Sequence, residues 1–309
     1  MAKQTNIVWT KSTFNPWMGC TGVSRACDHC YAEALMGRWL KIKWGTGEPR
    51  VRTSPTYWRA PRAWNAAAPS QNFAGIRGFW PVFCASLADV FDNEVDPQWR
   101  LDLWELVRAT PNLTWQILTK RIGNARKMLP ADWGNGYANV WLGATVCDQT
   151  EALRDVVKLR AVPAAVRFVS VEPMLGSIDL EAVPRDGDHN SPPGRLIDML
   201  DWVICGGERC AQSRPMHPNG PRQLRDQCVR ADKPFLFKQW GDWSPGSLAF
   251  GNELPANALC DAREHQWAEG EISYRVGVEA AGISLDGRVW QQFPAAAVAS
   301  TQLPVSLVR

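Results

Sequence analysis

Six times between residues 79 and 238 the chain runs a short apolar segment into a polar cluster, and most of these are followed by a helical pattern. FWPVFCAS leads into LADVFD and the helical PQWRLDLWELVRA; LTWQIL into TKR and IGNARKML; NVWLGATV into CDQ and EALRDVVKLR. RFVSV then meets EPMLG, DWVICG meets GERCAQSRP and PRQLRDQCVRA, and PFLF meets KQWGDW. Runs apolar on both faces suit parallel strands covered by helices, and their alternation with helical patterns marks βα units. The expected strands are 79–84, 113–118, 139–145, 166–171, 201–206 and 234–238, with a further short one near 12–17. The fold class expected is α/β, a partial (βα)6 TIM-type barrel, although an open doubly wound sheet obeys the same local grammar.

Either architecture gathers its functional groups at the carboxyl ends of the strands. The residues just past those ends are Ser86 and Asp89, Thr119, Lys120 and Arg121, Cys147 and Asp148, Glu172, Glu208 and Arg214, and Lys238 and Gln239. A helix cap or a surface loop accounts for any one of them. A merely structural rim has no need of Lys120, Glu172, Glu208 and Lys238 together, which makes these four the candidate catalytic residues.

CTGVSRACDHC, residues 20–30, places three cysteines within eleven residues ahead of the helical CYAEALMGRWLKI. The N-terminal MAKQTNIVWT lacks the apolar run of a signal peptide and no stretch of eighteen apolar residues occurs, so a cytoplasmic, non-membrane, monomeric protein is expected. Disulfides are rare there. Of the nine cysteines, Cys84, Cys147, Cys205, Cys210, Cys228 and Cys260 are scattered and read as ordinary thiols, which leaves Cys20, Cys27 and Cys30 as the cluster. Three thiolates hold three irons of a [4Fe–4S] cluster and leave the fourth iron open. Zinc is the alternative, with His29 or His217 completing a Cys3His set.

The stretch Lys41–Arg77 carries seven Lys and Arg against the single acid Glu48, interleaved with Trp44, Tyr57, Trp58 and Trp64. Such a composition suits a surface that neutralises phosphates and stacks bases, so DNA, RNA or a nucleotide is a candidate partner. The competing reading is a solvated insertion, 41–78, pinned to the core by its tryptophans; with 17 tryptophans in 309 residues, each one is weak evidence of binding. A net charge of +3 does not separate the two. After Gly241 the pattern changes: SPGSLAFGNELPANA reads as loop, EISYRVGVEAAGISLDGRVWQQFP as short strands, and 182–195, with PRDGDHNSPPG, as an exposed disordered linker. The domain expectation is 1–243 for the barrel and 244–309 for a small β-containing extension packed on it.

NIVWTKSTFNPWMGCTGVSRACDHCYAE, LTKR, WLGATV, RFVSVEPMLG, DWVICGGERCAQSRPMHP, FLFKQWGDW and LDGRVWQQFP carry a family resemblance spanning about residues 5–294. Together the chain resembles a phage- and prophage-associated family of proteins known for a three-cysteine motif and similar to radical SAM enzymes. The resemblance implies a radical SAM-like partial barrel, Cys20, Cys27 and Cys30 as cluster ligands, S-adenosylmethionine as cofactor, a nucleobase or nucleic acid as substrate, and a reducing partner such as flavodoxin or ferredoxin. The spacing here is C-x6-C-x2-C, where the usual radical SAM motif has three residues in its first gap. His29 stands where that motif carries an aromatic residue. Gly206, Gly207 and Glu208 resemble the GGE element that meets the S-adenosylmethionine amino group. Ser86 and Arg214 complete the expected cofactor contacts.

Overall fold

The structure, a computed structural model, describes residues 5–184, 194–250 and 263–299. Seven strands form one parallel sheet in chain order: β1 Ser12–Thr13, β2 Pro81–Cys84, β3 Thr114–Thr119, β4 Val140–Thr145, β5 Val166–Val171, β6 Trp202–Gly206 and β7 Phe235–Gln239. The register steps from Ser12 opposite Val82 to Val203 opposite Phe235 with every neighbour pair parallel. The six expected strands are present, and the short seventh forms the edge.

Alternation along the strands separates two layers. Val82, Ile117, Leu142, Val169, Val203 and Phe235 point to one side, where they pack with Leu103, Trp104 and Val107 of α2 (Pro97–Arg108). The same layer holds Val156 and Leu159 of α3 (Gln149–Arg160) and Leu224 of α4 (Asn219–Arg230). Phe83, Trp141, Phe168, Trp202, Ile204 and Leu236 point to the other side and meet Trp9 and Phe79. All three long helices therefore cover one face, and a sheet of sequential parallel strands wound on one side curls into a half-barrel. The bare inner face is filled by aromatics: Trp9 and Phe83 have ring centres 4.7 Å apart, and Trp141 meets Trp202 edge-on at 5.8 Å. Gly143 makes room for this layer, since a Cβ there would stand 2.4 Å from the Phe168 ring.

A segment from outside the strand array, residues 290–293, closes it. Phe293 packs on Phe79 and Trp202 at the amino-terminal ends of their strands. Residues 290–292 run along the free edge of β7, with Phe237 N–H donating to the Trp290 carbonyl at 2.9 Å and Leu236 bridging Gln291. An unpaired edge is thereby covered. Residues 244–250, expected as loop, instead belong to β8 (Trp243–Pro245) and a short helix (Gly246–Phe250). β8 joins β9 (Arg263–Gln266) and β10 (Ile272–Arg275) in an antiparallel sheet. Cys260 and residues 185–193 of the expected linker lie outside the described residues.

The stretch 41–77 belongs to the connection from β1 to β2, and part of its basic charge is paired with acids of the fold. Arg50 is buried, bonded to Asp92 at 2.8 Å and Glu94 at 2.7 Å. Arg52 bonds Asp102 at 2.6 Å and lies 4.6 Å over the Trp58 ring, Trp64 stacks on Trp80, and the Tyr57 hydroxyl donates to the Thr13 carbonyl. The aromatics thus anchor the segment to the core. Lys41, Lys43, Arg52, Arg59, Arg62 and Arg77 are exposed.

Candidate functional site

A cavity of about 630 Å³ opens at the carboxyl ends of the strands. Its wall includes Cys20, Cys27, His29 and Cys30 of the cysteine loop, Ser86 and Asp89 after β2, Thr119, Lys120 and Arg121 at β3, Glu172 after β5, Gly207 and Glu208 after β6, and Lys238 of β7. Trp9, Phe83 and Leu118 make its apolar floor. Thirteen of the expected site residues meet there: the three cysteines, His29, Ser86, Asp89, Thr119, Lys120, Arg121, Glu172, Gly207, Glu208 and Lys238. Gly206 and Arg214 are not on its wall, nor are Cys147, Asp148 and Gln239. Asp148 instead caps α3, its carboxylate accepting from the Glu151 N–H at 3.0 Å.

The loop's local structure places its sulfurs. Ser24 caps a tight turn Arg25–Cys27 through the Ala26 N–H, and Cys30 stands at the start of α1 (Tyr31–Trp39), where unpaired amide N–H groups favour an anionic ligand. All three cysteines are free and partly buried. Residues 45–50 brace the loop from outside: Gly45 N–H donates to the Cys20 carbonyl at 2.9 Å and Arg50 to the Thr21 hydroxyl at 2.8 Å.

Two charged assemblies secure the loop from inside. Asp89 accepts from Thr119 Oγ1 at 2.7 Å, from the N–H groups of Phe91 and Lys120, and pairs with Arg121 at 3.4 Å. Arg121 in turn donates to Cys20 Sγ at 3.2 Å and to the Thr21 carbonyl. Burial pushes the Cys20 thiol up to about 11, with the Arg121 guanidinium acting against it. On the other side, Glu208 accepts from Arg214 at 2.6 and 3.0 Å, from the Arg214 N–H, and meets His29 Nδ1 at 3.0 Å. Burial works against ionised Glu208, but the bonds from Arg214 and His29 hold its carboxyl below the usual range. Arg214 also reaches Asp28 and the Arg25 carbonyl.

Glu208 therefore has both oxygens engaged, and Glu172 pairs with Lys238. Lys120 and Arg209 line the cavity with no acidic partner among the described residues. The Ser170 hydroxyl is buried on the wall without a hydrogen-bond partner among the described residues, which leaves a polar contact for a ligand to satisfy. Gly207 has a packing reason: a Cβ there would stand 1.9 Å from the Trp240 carbonyl oxygen, so the chain lies directly against the turn after β7.

The geometry adds residues that the sequence pattern did not single out. Cys210, grouped above with the scattered thiols, lines the cavity, and its sulfur lies within 4.8 Å of donor atoms of His29 and Glu208. Asp242 and Arg275 from beyond the barrel hold it there, the former accepting from the Cys210 N–H at 2.9 Å and the latter donating to its carbonyl at 2.9 Å. Its position two residues after the GGE run was the available signal. His217, in contrast, is bonded to Glu269 at 3.3 Å and stacked near Trp267, in a separate small pocket. His217 is not brought to the cysteines.

The fold and site define a parallel α/β half-barrel with a cysteine-bearing loop over its mouth. The chain belongs to the family described as "Protein of unknown function (DUF5131)", which matches residues 4–294. No curated protein matches it. Among solved structures it is similar to a doubly substituted spore photoproduct lyase with bound AdoMet and dinucleoside spore photoproduct. That likeness has a TM-score of 0.39 and 11% identity, covering 85% of this chain and 67% of the other. Similarity at this level carries no argument about activity. Among the described residues no helix is long and apolar enough to cross a membrane.

Proposed function

We propose that this protein is a radical SAM-type enzyme, with Cys20, Cys27 and Cys30 holding a [4Fe–4S] cluster and S-adenosylmethionine bound in the cavity beside it. The observation that carries the reading is the convergence of three free thiols from one loop on the cavity formed by the strand ends. The donor set fits: soft thiolates select iron–sulfur clusters. When bound, cluster and cofactor supply a carbon-centred radical that takes a hydrogen atom from the substrate.

The chain's own residues bind and orient. Lys120 and Arg209 face a carboxylate or phosphate, since neither is committed to an acid among the described residues. Glu172, shared with Lys238, is the carboxylate positioned to meet an ammonium or ribose hydroxyls. Glu208 and Arg214 act as positioning residues that fix the cysteine loop. The Ser170 hydroxyl donates to a polar ligand atom at the floor, and the apolar layer of Trp9, Phe83 and Leu118 excludes water beneath it. Trp44 on the rim offers a face for a nucleobase.

Anaerobic purification is expected to yield about four irons and four sulfides per chain. Replacing any one of Cys20, Cys27 or Cys30 by Ala abolishes them, while Cys84→Ala, which removes a thiol of the helix-covered layer, does not. With dithionite and S-adenosylmethionine the loaded protein releases 5′-deoxyadenosine. Stoichiometric zinc without iron overturns the reading.

A further inference from the structure

Among the described residues four cysteines line the cavity, one more than the cysteine loop supplies. Cys210 comes from the loop after β6, and its sulfur is within 4.8 Å of a His29 ring nitrogen, while His29 itself sits between Cys27 and Cys30. The two loops are tied face to face by Arg214, which bonds Glu208 on one and Asp28 and the Arg25 carbonyl on the other. Backbone contacts to Asp242 and Arg275 fix Cys210, and its sulfur is hydrogen-bonded by the Gln212 backbone and by no side chain among the described residues. Glu208 is engaged by Arg214 and His29, so within the group formed by His29, Glu208 and Cys210 the thiol is the donor not bonded to another side chain among the described residues.

We propose that Cys210 is the fourth protein ligand of the cluster when no small molecule occupies the cavity, and that S-adenosylmethionine displaces it. The inference rests on the reading of Cys20, Cys27 and Cys30 as cluster ligands and adds to it the group that covers the fourth iron. On coordination the Cys210 thiol loses its proton to solvent, the sulfur takes the open iron position, and no electron changes hands. On displacement the Cys210 thiolate would take up a proton from solvent, and the iron position would be left to S-adenosylmethionine. The chemical rationale is direct: a thiolate is a better resting ligand for an exposed iron than water, and it shields the iron from oxygen until the cofactor arrives.

Three measurements on the full chain, loaded anaerobically, test this. In wild type, alkylation by iodoacetamide followed by peptide mass analysis is expected to spare Cys20, Cys27, Cys30 and Cys210. Excess S-adenosylmethionine exposes Cys210 alone, by at least about tenfold in its labelling rate. Cys210→Ala and Cys210→Ser each keep four irons per chain but change the electron paramagnetic resonance spectrum of the reduced cluster in the absence of S-adenosylmethionine. In both variants the S-adenosylmethionine concentration that shifts the spectrum falls about tenfold or more, because the competing thiolate is gone. The serine variant conserves size and the backbone contacts at this position, so a shared effect is not a folding defect. Equal labelling of Cys210 with and without cofactor, or spectra and cofactor dependence identical to wild type in both variants, overturns the inference while leaving the three-cysteine cluster intact. Iron that survives Cys27→Ala, or is absent from wild type, overturns the underlying reading instead.

Discussion

At one end of the cysteine loop Arg121 and Asp89 each expose 7% of their side chains, and Arg121 reaches the Cys20 sulfur itself. At the other end Arg214 is 24% exposed over a Glu208 that is 5% exposed, and it grips the loop by Asp28 and a backbone carbonyl, leaving the thiols untouched. Both are arginine–carboxylate pairs at strand ends. The first sits where a charge without its partner has nowhere to go, and so couples the thiol's chemistry to the fold. The second can turn toward solvent, and so governs where the loop lies more than whether the barrel holds together.

The largest effect follows from breaking the buried end. Asp89→Ala removes the acceptor for Thr119, two backbone N–H groups and Arg121 at once, leaving a buried guanidinium uncompensated. A loss of about 3–5 kcal/mol is expected in denaturant unfolding. Glu208→Ala should cost less, about 1–3 kcal/mol, because Arg214 keeps Asp28 and reaches water. Equal costs at the two ends would erase the distinction between them.

Acid and base should separate the same two ends. Glu208 has its carboxyl depressed, so its stabilisation is present above the ordinary carboxylate value, about 4.3, and is lost as pH falls below that. Cys20 has its thiol raised from 9.0 to about 11, chiefly by burial and against the pull of Arg121, so its contribution is present below 9 and is lost as pH rises toward 11. In the metal-free chain, hydrogen exchange around 25–29 is expected to accelerate in acid and around 20–22 in alkali. Cys20→Ser abolishes the alkaline phase alone. One loop that loosens as a unit at both extremes would contradict this.

The half-barrel was legible because its strands are buried on both faces and therefore read as unbroken apolar runs: Val140–Thr145 is buried throughout. Much of the mouth was legible for the related reason that polar residues such as Lys120 and Glu172 follow such runs directly. Cys210 was not, since the contacts that bring it to the mouth come from Asp242 and Arg275, 32 and 65 residues later. Part of the positive charge in 41–77 is likewise answered at long range. Arg50 and Arg52 find Asp92 and Asp102, 42 and 50 residues on, and a composition window narrower than that sees arginines without their acids.

Arg52 and Asp102 also supply the baseline for the two loop anchors. Their bond is 2.6 Å, as short as the shorter Arg214–Glu208 contact, yet the side chains are 36% and 28% exposed and neither touches the cysteine loop. Distance alone would rank this pair with the strongest. Exposure argues otherwise, because solvent screens the attraction and two long side chains lose rotamer freedom to hold it, which leaves about 0–1 kcal/mol. Arg52 has a second contact over the Trp58 ring at 4.6 Å, worth about 0.5–1 kcal/mol at an exposed site, so the two partners are not equivalent. Asp102→Ala is therefore expected to lower stability by less than about 1 kcal/mol, Arg52→Ala by somewhat more, and neither to alter hydrogen exchange in residues 20–30. A cost for Asp102→Ala matching that of Glu208→Ala would mean that hydrogen-bond length, and not burial or attachment to the loop, ranks these arginine pairs.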